Sequence, residues 1–171
     1  MIDIRHVYQT FGDRHILKDV SLSIKEGETM VILGASGSGK STLLKLIIGL
    51  LRPTSGKVLV NGKDMGQLSE EELNEERRSM GMVFQYSALF DSLNVKENVA
   101  FGLRMHTRLS EEKIDAIVKE KLHLVGLDGI EDLMPANLSG GMKKRVSLAR
   151  AIALEPKIIL YDEPTAGLDP I

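Results

Sequence analysis

The residues best suited to chemistry form a glycine-rich segment that ends in a lysine and a serine. Residues 34–41 have the sequence GASGSGKS and match the pattern G-x-x-x-x-G-K-[ST] at every fixed position. Glycines let the backbone curl so that successive N–H groups face one dense anion, and Lys40 adds positive charge for the β and γ phosphates of a triphosphate. The Ser41 hydroxyl is a hard oxygen ligand that suits Mg²⁺. The predicted phosphate-binding residues are Gly34, Ala35, Ser36, Gly37, Ser38, Gly39, Lys40, Ser41 and Thr42.

Two other interpretations of this segment compete with a triphosphate loop. The first is a glycine-rich turn between a strand and a helix that binds nothing. The second is a dinucleotide-binding turn, but Thr42 stands where that motif requires a third glycine, and Lys40 and Ser41 have no role in it. A buried strand before the segment and a helix after it are the context that the triphosphate motif requires.

A second candidate site lies near the end of the sequence, where the apolar run 158–161 is followed by Asp162 and Glu163. In parallel α/β sheets, ligands bind at the carboxyl ends of the strands, which predicts that this pair lies beside the glycine loop. Asp162 is then placed to hold Mg²⁺, and Glu163 to polarise an attacking water. The alternative is a pair of solvated carboxylates at a strand end.

A third candidate is Ser139 with Gly140 and Gly141, which precede an amphipathic helix. A serine and two glycines at a helix N-terminus offer free N–H groups to a phosphate. The alternative is a flexible helix cap without a ligand.

The elements that must position these residues follow from the hydrophobic pattern. Ile2 and Ile4 begin a strand, Val20–Ile24 alternates as a half-buried strand does, and 29–33 predicts a strand buried on both faces. A helix is expected over 40–50. A strand over 57–60 then ends at the turn pair Asn61-Gly62.

The second half of the sequence is mainly helical. A capping-box pattern at Ser69 begins a charged helix, a buried strand is expected at 81–84, and helices dominate 87–138, one of them capped by Ser110. An amphipathic helix over 141–154 precedes a last buried strand at 158–161. Strands that alternate with helices predict an α/β fold with a mostly parallel sheet and a helical insertion.

Composition limits the possible functions of the chain. Its 171 residues carry 22 Lys plus Arg against 24 Asp plus Glu, a balance that gives no reason to expect nucleic acid or an anionic membrane surface as the main partner. The absence of cysteine excludes disulfides and thiolate chemistry. The longest clearly apolar stretch, near 46–51, is far shorter than the roughly 20 residues of a spanning helix.

Taken together, these motifs resemble those of the ABC ATPases over the whole length of the sequence. The resemblance implies a P-loop NTPase core, an N-terminal antiparallel β subdomain and a helical subdomain at about 88–140, in one domain over 1–171. It further implies ATP and Mg²⁺ as ligands, and a homodimer in which Ser139, Gly140 and Gly141 close over ATP held by the other subunit. The signature departs from the usual pattern at Met142, where the family has Gln.

The resemblance also assigns roles to residues that the patterns alone do not single out. Phe11, with Tyr8 as the alternative, corresponds to the aromatic that stacks on adenine. Gln85 corresponds to a glutamine that contacts Mg²⁺ and water and senses the membrane subunit. Residues 166–169 correspond to a loop that crosses the dimer interface. The catalytic residues implied are Glu163, Lys40 and Gln85, and the metal ligands implied are Ser41, Gln85 and Asp162.

A narrower resemblance, carried by residues 85–93 and the signature Leu-Ser-Gly-Gly-Met, is to the Mla-type ATPases of bacterial phospholipid transporters. It implies a peripheral protein on the cytoplasmic face of the inner membrane, bound to an integral membrane permease. The alternatives are an ATPase of another ABC importer, such as one for amino acids, a soluble ABC protein of translation or DNA repair, and a non-hydrolytic ATP-binding module.

One family feature has no counterpart in the sequence. The four histidines, His6, His15, His106 and His123, all precede the acidic pair, and none matches the switch histidine that the family carries beyond residues 166–169. The expectation is therefore a domain truncated at its C-terminus that binds ATP and hydrolyses it weakly.

Overall fold

The computed structural model describes residues 1–163 and divides the chain into two compact units, Met1–Arg77 and Arg78–Ile171. The first unit is built on an antiparallel sheet. The second unit is mainly helical and contains a pair of parallel strands.

The sheet of the first unit contains β1 (Ile2–Phe11), β2 (Arg14–Ile24), β3 (Ser55–Val60) and β4 (Lys63–Asp64), in the order β2-β1-β3-β4. All three neighbouring pairs are antiparallel. In β1, most buried residues occupy alternate positions. In β2, half-buried residues mostly alternate with exposed ones. Both patterns arise because one face of each strand packs inward. The predicted turn is confirmed, since Asn61 and Gly62 both have positive φ and join β3 to β4.

Two helices complete the first unit, α1 (Lys40–Ile47) and α2 (Glu70–Arg77). Leu43, Leu46 and Ile47 form the buried face of α1. The predicted capping box at the start of α2 is confirmed, because the Ser69 N–H donates to Glu72 Oε2 at 2.8 Å and the Glu72 N–H donates to Ser69 Oγ at 3.3 Å.

The prediction of a buried strand at 29–33 is wrong. These residues have no regular secondary structure in the part of the chain that the structure describes, and their apolar side chains are exposed, from 37% at Met30 to 88% at Leu33. An apolar, β-branched run becomes a buried strand only when neighbouring strands supply hydrogen bonds and cover both faces. No described strand pairs with this run.

The second unit contains the parallel strands β5 (Met80–Val83) and β6 (Ile158–Tyr161), with Met80 opposite Ile158 and Val83 opposite Tyr161. Between them in sequence lie α3 (Val95–His106), α4 (Glu111–Leu124), a 3-10 turn (Pro135–Asn137) and α5 (Gly140–Ile152). The helical insertion between two sheet strands is therefore confirmed. Ser110 occupies the N-cap of α4, as predicted, but its side chain makes no capping hydrogen bond.

The helices of the second unit share one hydrophobic core. Its fully buried members include Val95 and Val99 of α3, Ile114 of α4 and Val146 and Ala149 of α5. The predicted apolar face of α5 is thus confirmed at its centre.

The two strands of the second unit differ in how they are covered. Gly81 of β5 lies against the end of α5, where a side-chain Cβ would come within 2.5 Å of the Ala151 carbonyl oxygen. The prediction that β6 is buried is wrong for most of the strand: Leu160 is buried, whereas Ile159 is 39% and Tyr161 43% exposed. β5 is the only strand that pairs with β6 among the described residues, so one edge of β6 has no strand beside it there.

No helix within residues 1–163 combines the length and the apolar character needed to cross a bilayer.

Candidate functional site

The glycine-rich loop of the first unit opens directly into α1. Gly39 is the N-cap of α1 and has φ 99°, and its carbonyl accepts the Leu43 N–H at 2.9 Å. The left-handed backbone favours glycine, and a Cβ at this position would lie 2.7 Å from Leu17 Cδ2, so the Leu17 side chain would have to shift. Gly39 has no side chain that could cap the helix, and the first-turn N–H groups of α1 are therefore presented to the loop.

Lys40 folds back across this loop. Its Nζ donates to the Gly34 carbonyl at 3.0 Å and to the Ala35 carbonyl at 3.1 Å. The loop is tightened by the Ser38 N–H, which donates to the Ala35 carbonyl at 3.1 Å. Residues 34–38 are exposed, and Lys40, Ser41 and Thr42 are half-buried at the start of α1. The predicted phosphate-binding residues thus form one accessible loop that carries the positive charge of Lys40.

In the second unit, Gln85 and Glu163 lie together at the carboxyl ends of β5 and β6. The Gln85 Nε2 donates to Glu163 Oε2 at 2.9 Å. Asp162, which lies between β6 and Glu163, is 8% exposed. Its N–H donates to the Val83 carbonyl at 3.0 Å, so the hydrogen bonds between β5 and β6 continue one residue beyond Tyr161. Parallel pairing in register therefore brings together a carboxylate and an amide that are far apart in sequence.

The backbone turns sharply at Glu163, which has φ 49°. A non-glycine residue in this region costs roughly 1–2 kcal/mol. Such strain is common at functional sites, where the surroundings hold the residue in place.

Ser139 is the N-cap of α5, and its Oγ accepts the Met142 N–H at 3.2 Å. Ser139 and Gly140 are exposed and Gly141 is half-buried. Ser139 therefore caps α5, which leaves both interpretations of the segment open, and the exposed helix N-terminus keeps the geometry needed to receive a phosphate.

The aromatic candidates for adenine stacking both lie on β1. Phe11 ends the strand and is 45% exposed, and Tyr8 is 40% exposed. Both side chains are therefore partly accessible to solvent. The segment 166–169 lies outside the described residues.

Sequence reasoning missed Arg150 of α5. Its Nη1 donates to the Ala88 carbonyl at 2.8 Å and its Nη2 to the Ser87 carbonyl at 3.0 Å, two residues that closely follow Gln85. Burial lowers the pKa of the Arg150 guanidinium from its usual value. The helical period could have revealed it, because Arg150 falls four residues after Val146 on the buried face of α5.

Comparison with known proteins decides the family. The family model described as "ABC transporter" matches residues 17–166. The chain belongs to the ABC transporter family. Among its relatives, the probable ribonucleotide transport ATP-binding protein mkl of Mycobacterium leprae is 51% identical over 99% of the chain and 49% of the relative.

Two further relatives match the whole chain. The protein TRIGALACTOSYLDIACYLGLYCEROL 3, chloroplastic, of Arabidopsis thaliana is 50% identical over 51% of its own length. The intermembrane phospholipid transport system ATP-binding protein MlaF of Haemophilus influenzae is 49% identical over 65% of its own length. This ABC transporter family chain therefore spans about half to two thirds of the length of the curated relatives it matches.

Solved structures confirm the ABC cassette fold that the motifs predict. A dimeric, post-hydrolysis state of an ATP-binding cassette bound to ADP and Pi has a TM-score of 0.92 and 39% identity, over 99% of this chain and 76% of that one. The mixed architecture of antiparallel and parallel strands with inserted helices is thus the architecture of ABC ATPase cassettes.

Proposed function

We propose that this chain is the ATP-binding and ATP-hydrolysing part of an ABC transporter that moves phospholipid between bacterial membranes. The observation that carries the proposal is the glycine loop, which leads into the N-terminus of α1 with Lys40 folded across it. A loop of this form offers N–H donors, a helix dipole and a mobile ammonium to one polyphosphate.

Lys40 supplies the mobile charge in this proposal. Its two hydrogen bonds to the Gly34 and Ala35 carbonyls hold the ammonium over the loop. When a triphosphate enters, the ammonium exchanges these neutral acceptors for phosphate oxygens, and charge-assisted hydrogen bonds of that kind are roughly twice as strong. Phe11, or Tyr8 in its place, offers a ring face for adenine.

Mg²⁺ fits the donor atoms that the chain provides. The Ser41 hydroxyl, the Asp162 carboxylate and the Gln85 amide oxygen are hard oxygen ligands, and we propose that they hold the ion. Mg²⁺ usually keeps several of its waters and needs only one or two protein ligands besides the phosphates. When bound, Mg²⁺ neutralises charge on the phosphates.

Hydrolysis is assigned to Glu163 and Gln85. The Glu163 carboxylate accepts a hydrogen bond from the attacking water and takes up its proton as the water oxygen bonds to the γ phosphorus and ADP leaves. The Gln85 amide orients the carboxylate through their 2.9 Å hydrogen bond. We propose that the loop of the first unit binds ATP and that this pair of the second unit takes part in its hydrolysis. Positioning and charge stabilisation then account for the catalysis.

The partners proposed are a second copy of the chain and an integral membrane permease. The exposed Ser139 and Gly140, with the half-buried Gly141, form the surface that receives the partner copy's ATP phosphate, and the related cassette of known structure is described as dimeric. A homodimer closed over ATP and bound to a permease places the chain at the cytoplasmic face of the bacterial inner membrane.

The phospholipid cargo is supported by the MlaF relative, whose name specifies intermembrane phospholipid transport. A competing cargo is suggested by the mkl relative, which is described as a probable ribonucleotide transporter component. Reconstitution with the co-purifying permease separates them. ATP-dependent transfer of labelled phospholipid supports the proposal, and uptake of ribonucleotide without lipid transfer contradicts it.

The enzymatic part is tested by Glu163→Gln in the full chain. The amide cannot take up a proton at neutral pH, so turnover should fall by about 10²-fold or more while ATP affinity is retained. The matched control is Glu26→Gln, at an exposed glutamate in a turn of the first unit, which should leave turnover unchanged. Full turnover in the Glu163→Gln variant would refute the hydrolytic assignment.

A further inference from the structure

The guanidinium of Arg150 donates hydrogen bonds to the carbonyls of two successive residues. Nη1 and Nη2 donate to Ala88 and Ser87 at 2.8 and 3.0 Å, and the Arg150 Cζ lies 5.6 Å from the centroid of the Phe90 ring. A planar fork with fixed donors suits a pair of acceptors on one side of the chain, and the ring face stabilises the cation from below.

The turn to which Arg150 donates these hydrogen bonds has an unusual backbone conformation. Ser87 has φ 56° and Ala88 has φ 47°, although neither is glycine. The Ser87 N–H donates to the Phe84 carbonyl at 3.1 Å, and the Ala88 N–H donates to the Tyr86 carbonyl at 2.5 Å. Two consecutive left-handed residues turn their carbonyls to the same side, which is why one guanidinium reaches both. Such a conformation persists only where surrounding contacts maintain it.

The far end of the same segment is held separately. Asn98 of α3 is fully buried, its Oδ1 accepts the Phe90 N–H at 2.8 Å, and its Nδ2 donates to the Phe90 carbonyl at 3.1 Å and the Leu93 carbonyl at 2.9 Å. The segment from Ser87 to Leu93 is therefore fixed to the helical core at both ends. Tyr86 remains outside these contacts and is 84% exposed.

The charged guanidinium of Arg150 lies in a partly buried environment that disfavours the charged form. Desolvation lowers the pKa of its guanidinium, yet an arginine remains protonated at neutral pH. Its hydrogen-bond partners within residues 1–163 are backbone carbonyls rather than a carboxylate. A half-buried cation paired in this way serves to hold backbone in place.

We propose that Arg150 is a positioning residue that fixes Gln85 against Glu163 by holding the turn at Ser87 and Ala88. The inference rests on the proposed hydrolytic role of Gln85 and Glu163. Arg150 belongs to the helix that begins behind Ser139. α5 therefore presents the exposed N-terminus to phosphate and, three turns later, sets the place of the amide beside the carboxylate.

The assignment is tested by measuring kcat and KM for ATP in the full chain, with Arg145 as the control arginine. Arg145 of the same helix donates to the Val125 and Gly126 carbonyls at 3.4 and 3.0 Å, away from the Gln85 segment. Arg150→Lys keeps the charge and loses the fork, so kcat should fall about tenfold and by no more than in Gln85→Ala, with KM for ATP within about twofold. Arg145→Lys should leave both values within about twofold of the parent chain.

A double-mutant cycle shows whether Arg150 acts through Gln85. Gln85→Ala removes the group that Arg150 is proposed to place, so adding Arg150→Lys to it should cause no further loss of kcat. Additive losses would overturn the inference, and so would equal effects of the two arginine substitutions.

A spectroscopic reporter gives a readout that does not depend on turnover. The chain has no tryptophan, so Tyr86→Trp places a single indole beside Gln85. In that background Arg150→Lys should lower the fluorescence anisotropy of the indole and Arg145→Lys should not, with circular dichroism confirming the fold of each. Unchanged anisotropy contradicts the inference, whereas a fully active Glu163→Gln contradicts the proposed function, so the two failures are distinguishable.

Folding of the variants is itself informative. If Arg150→Lys does not fold, Arg150→Gln replaces it in the same measurements, since its amide still donates to one carbonyl. Failure of both variants to fold, while Arg145→Lys folds, would overturn the inference in favour of a role in stability alone.

Discussion

The Gln85 Nε2 lies 2.9 Å from Glu163 Oε2, although the two residues are 78 positions apart in sequence. The register of the parallel strands explains this contact. Val83 is opposite Tyr161, so each side chain stands two residues beyond the last pair of the ladder. A one-residue slip between β5 and β6 would separate them, and the contact of Gln85 with Glu163 therefore depends on the packing that fixes the register.

Removal of the amide should weaken hydrolysis more than binding. Gln85→Ala leaves the Glu163 carboxylate without this donor, and we expect kcat to fall about tenfold or more with KM for ATP nearly unchanged. Steady-state ATPase assays measure both values. The control is Gln67→Ala, at an exposed glutamine of the first unit. A rise in KM at constant kcat would indicate that Gln85 contributes to ATP binding instead.

Lys40→Ala should weaken the binding of ATP, whereas Gln85→Ala should weaken its hydrolysis. The loop loses the ammonium that bridges the Gly34 and Ala35 carbonyls, and with it the charge offered to phosphate. The loss of a charge-assisted contact worth about 1.5–3 kcal/mol should raise the Kd for Mg-ATP about 10- to 150-fold. Isothermal titration calorimetry measures the change. Lys45→Ala on the exposed side of α1 serves as the control, and equal losses in both variants would mean that only net charge matters.

Local chemistry was predictable from the sequence where short-range rules decide the structure. The glycine loop before α1, the capping box of α2 and the turn at Asn61 and Gly62 all follow from the conformational preferences of a few adjacent residues. Their predicted positions agree with the structure to within a residue or two.

Features that depend on tertiary neighbours were not predictable in the same way. The apolar run 29–33 has the composition of a buried strand. Whether it forms one depends on neighbouring strands, and the sequence of the run does not show whether they are present. The contact of Arg150 with Ser87 and Ala88 joins residues 63 and 62 positions apart. A pattern of period 3.6 places Arg150 on the inner face of α5 but gives no indication of what it meets there.

The packing around Gly39 predicts a stability defect. Gly39→Ala forces a Cβ against Leu17 at φ 99°, and left-handed strain together with the close contact should lower the free energy of unfolding by roughly 2–4 kcal/mol. Gly12 isolates the conformational part, because its φ is 56° and a Cβ there meets nothing within 4 Å. Gly12→Ala should therefore cost about 1–2 kcal/mol. Urea denaturation at neutral pH measures both, and equal losses would show that the contact with Leu17 relaxes without cost.

Lys121 should give the second unit a specific sensitivity to alkaline pH. Its side chain is 8% exposed, and its Nζ donates to Glu120 at 2.9 Å and to Glu155 at 3.1 Å. The hydrogen bond to Glu120 raises the pKa of Lys121 above its usual value, with Glu155 contributing in the same direction. A raised pKa in the folded state means that the contribution to stability is complete below the pKa of the unfolded chain, about 10.4, and is lost as pH rises through the folded value.

The measurement is urea denaturation between pH 8 and 11.5, with Lys121→Met as the reference because methionine matches the volume and cannot ionise. Both glutamates are largely exposed, so solvent screening limits the contribution of the pair to about 1 kcal/mol. Above about pH 10.5 the unfolding free energy of the parent chain should fall more steeply than that of the variant by this amount. Parallel curves for the two proteins over the whole range would show that Lys121 titrates alike in the folded and unfolded states, and that its ion pairs add no stability.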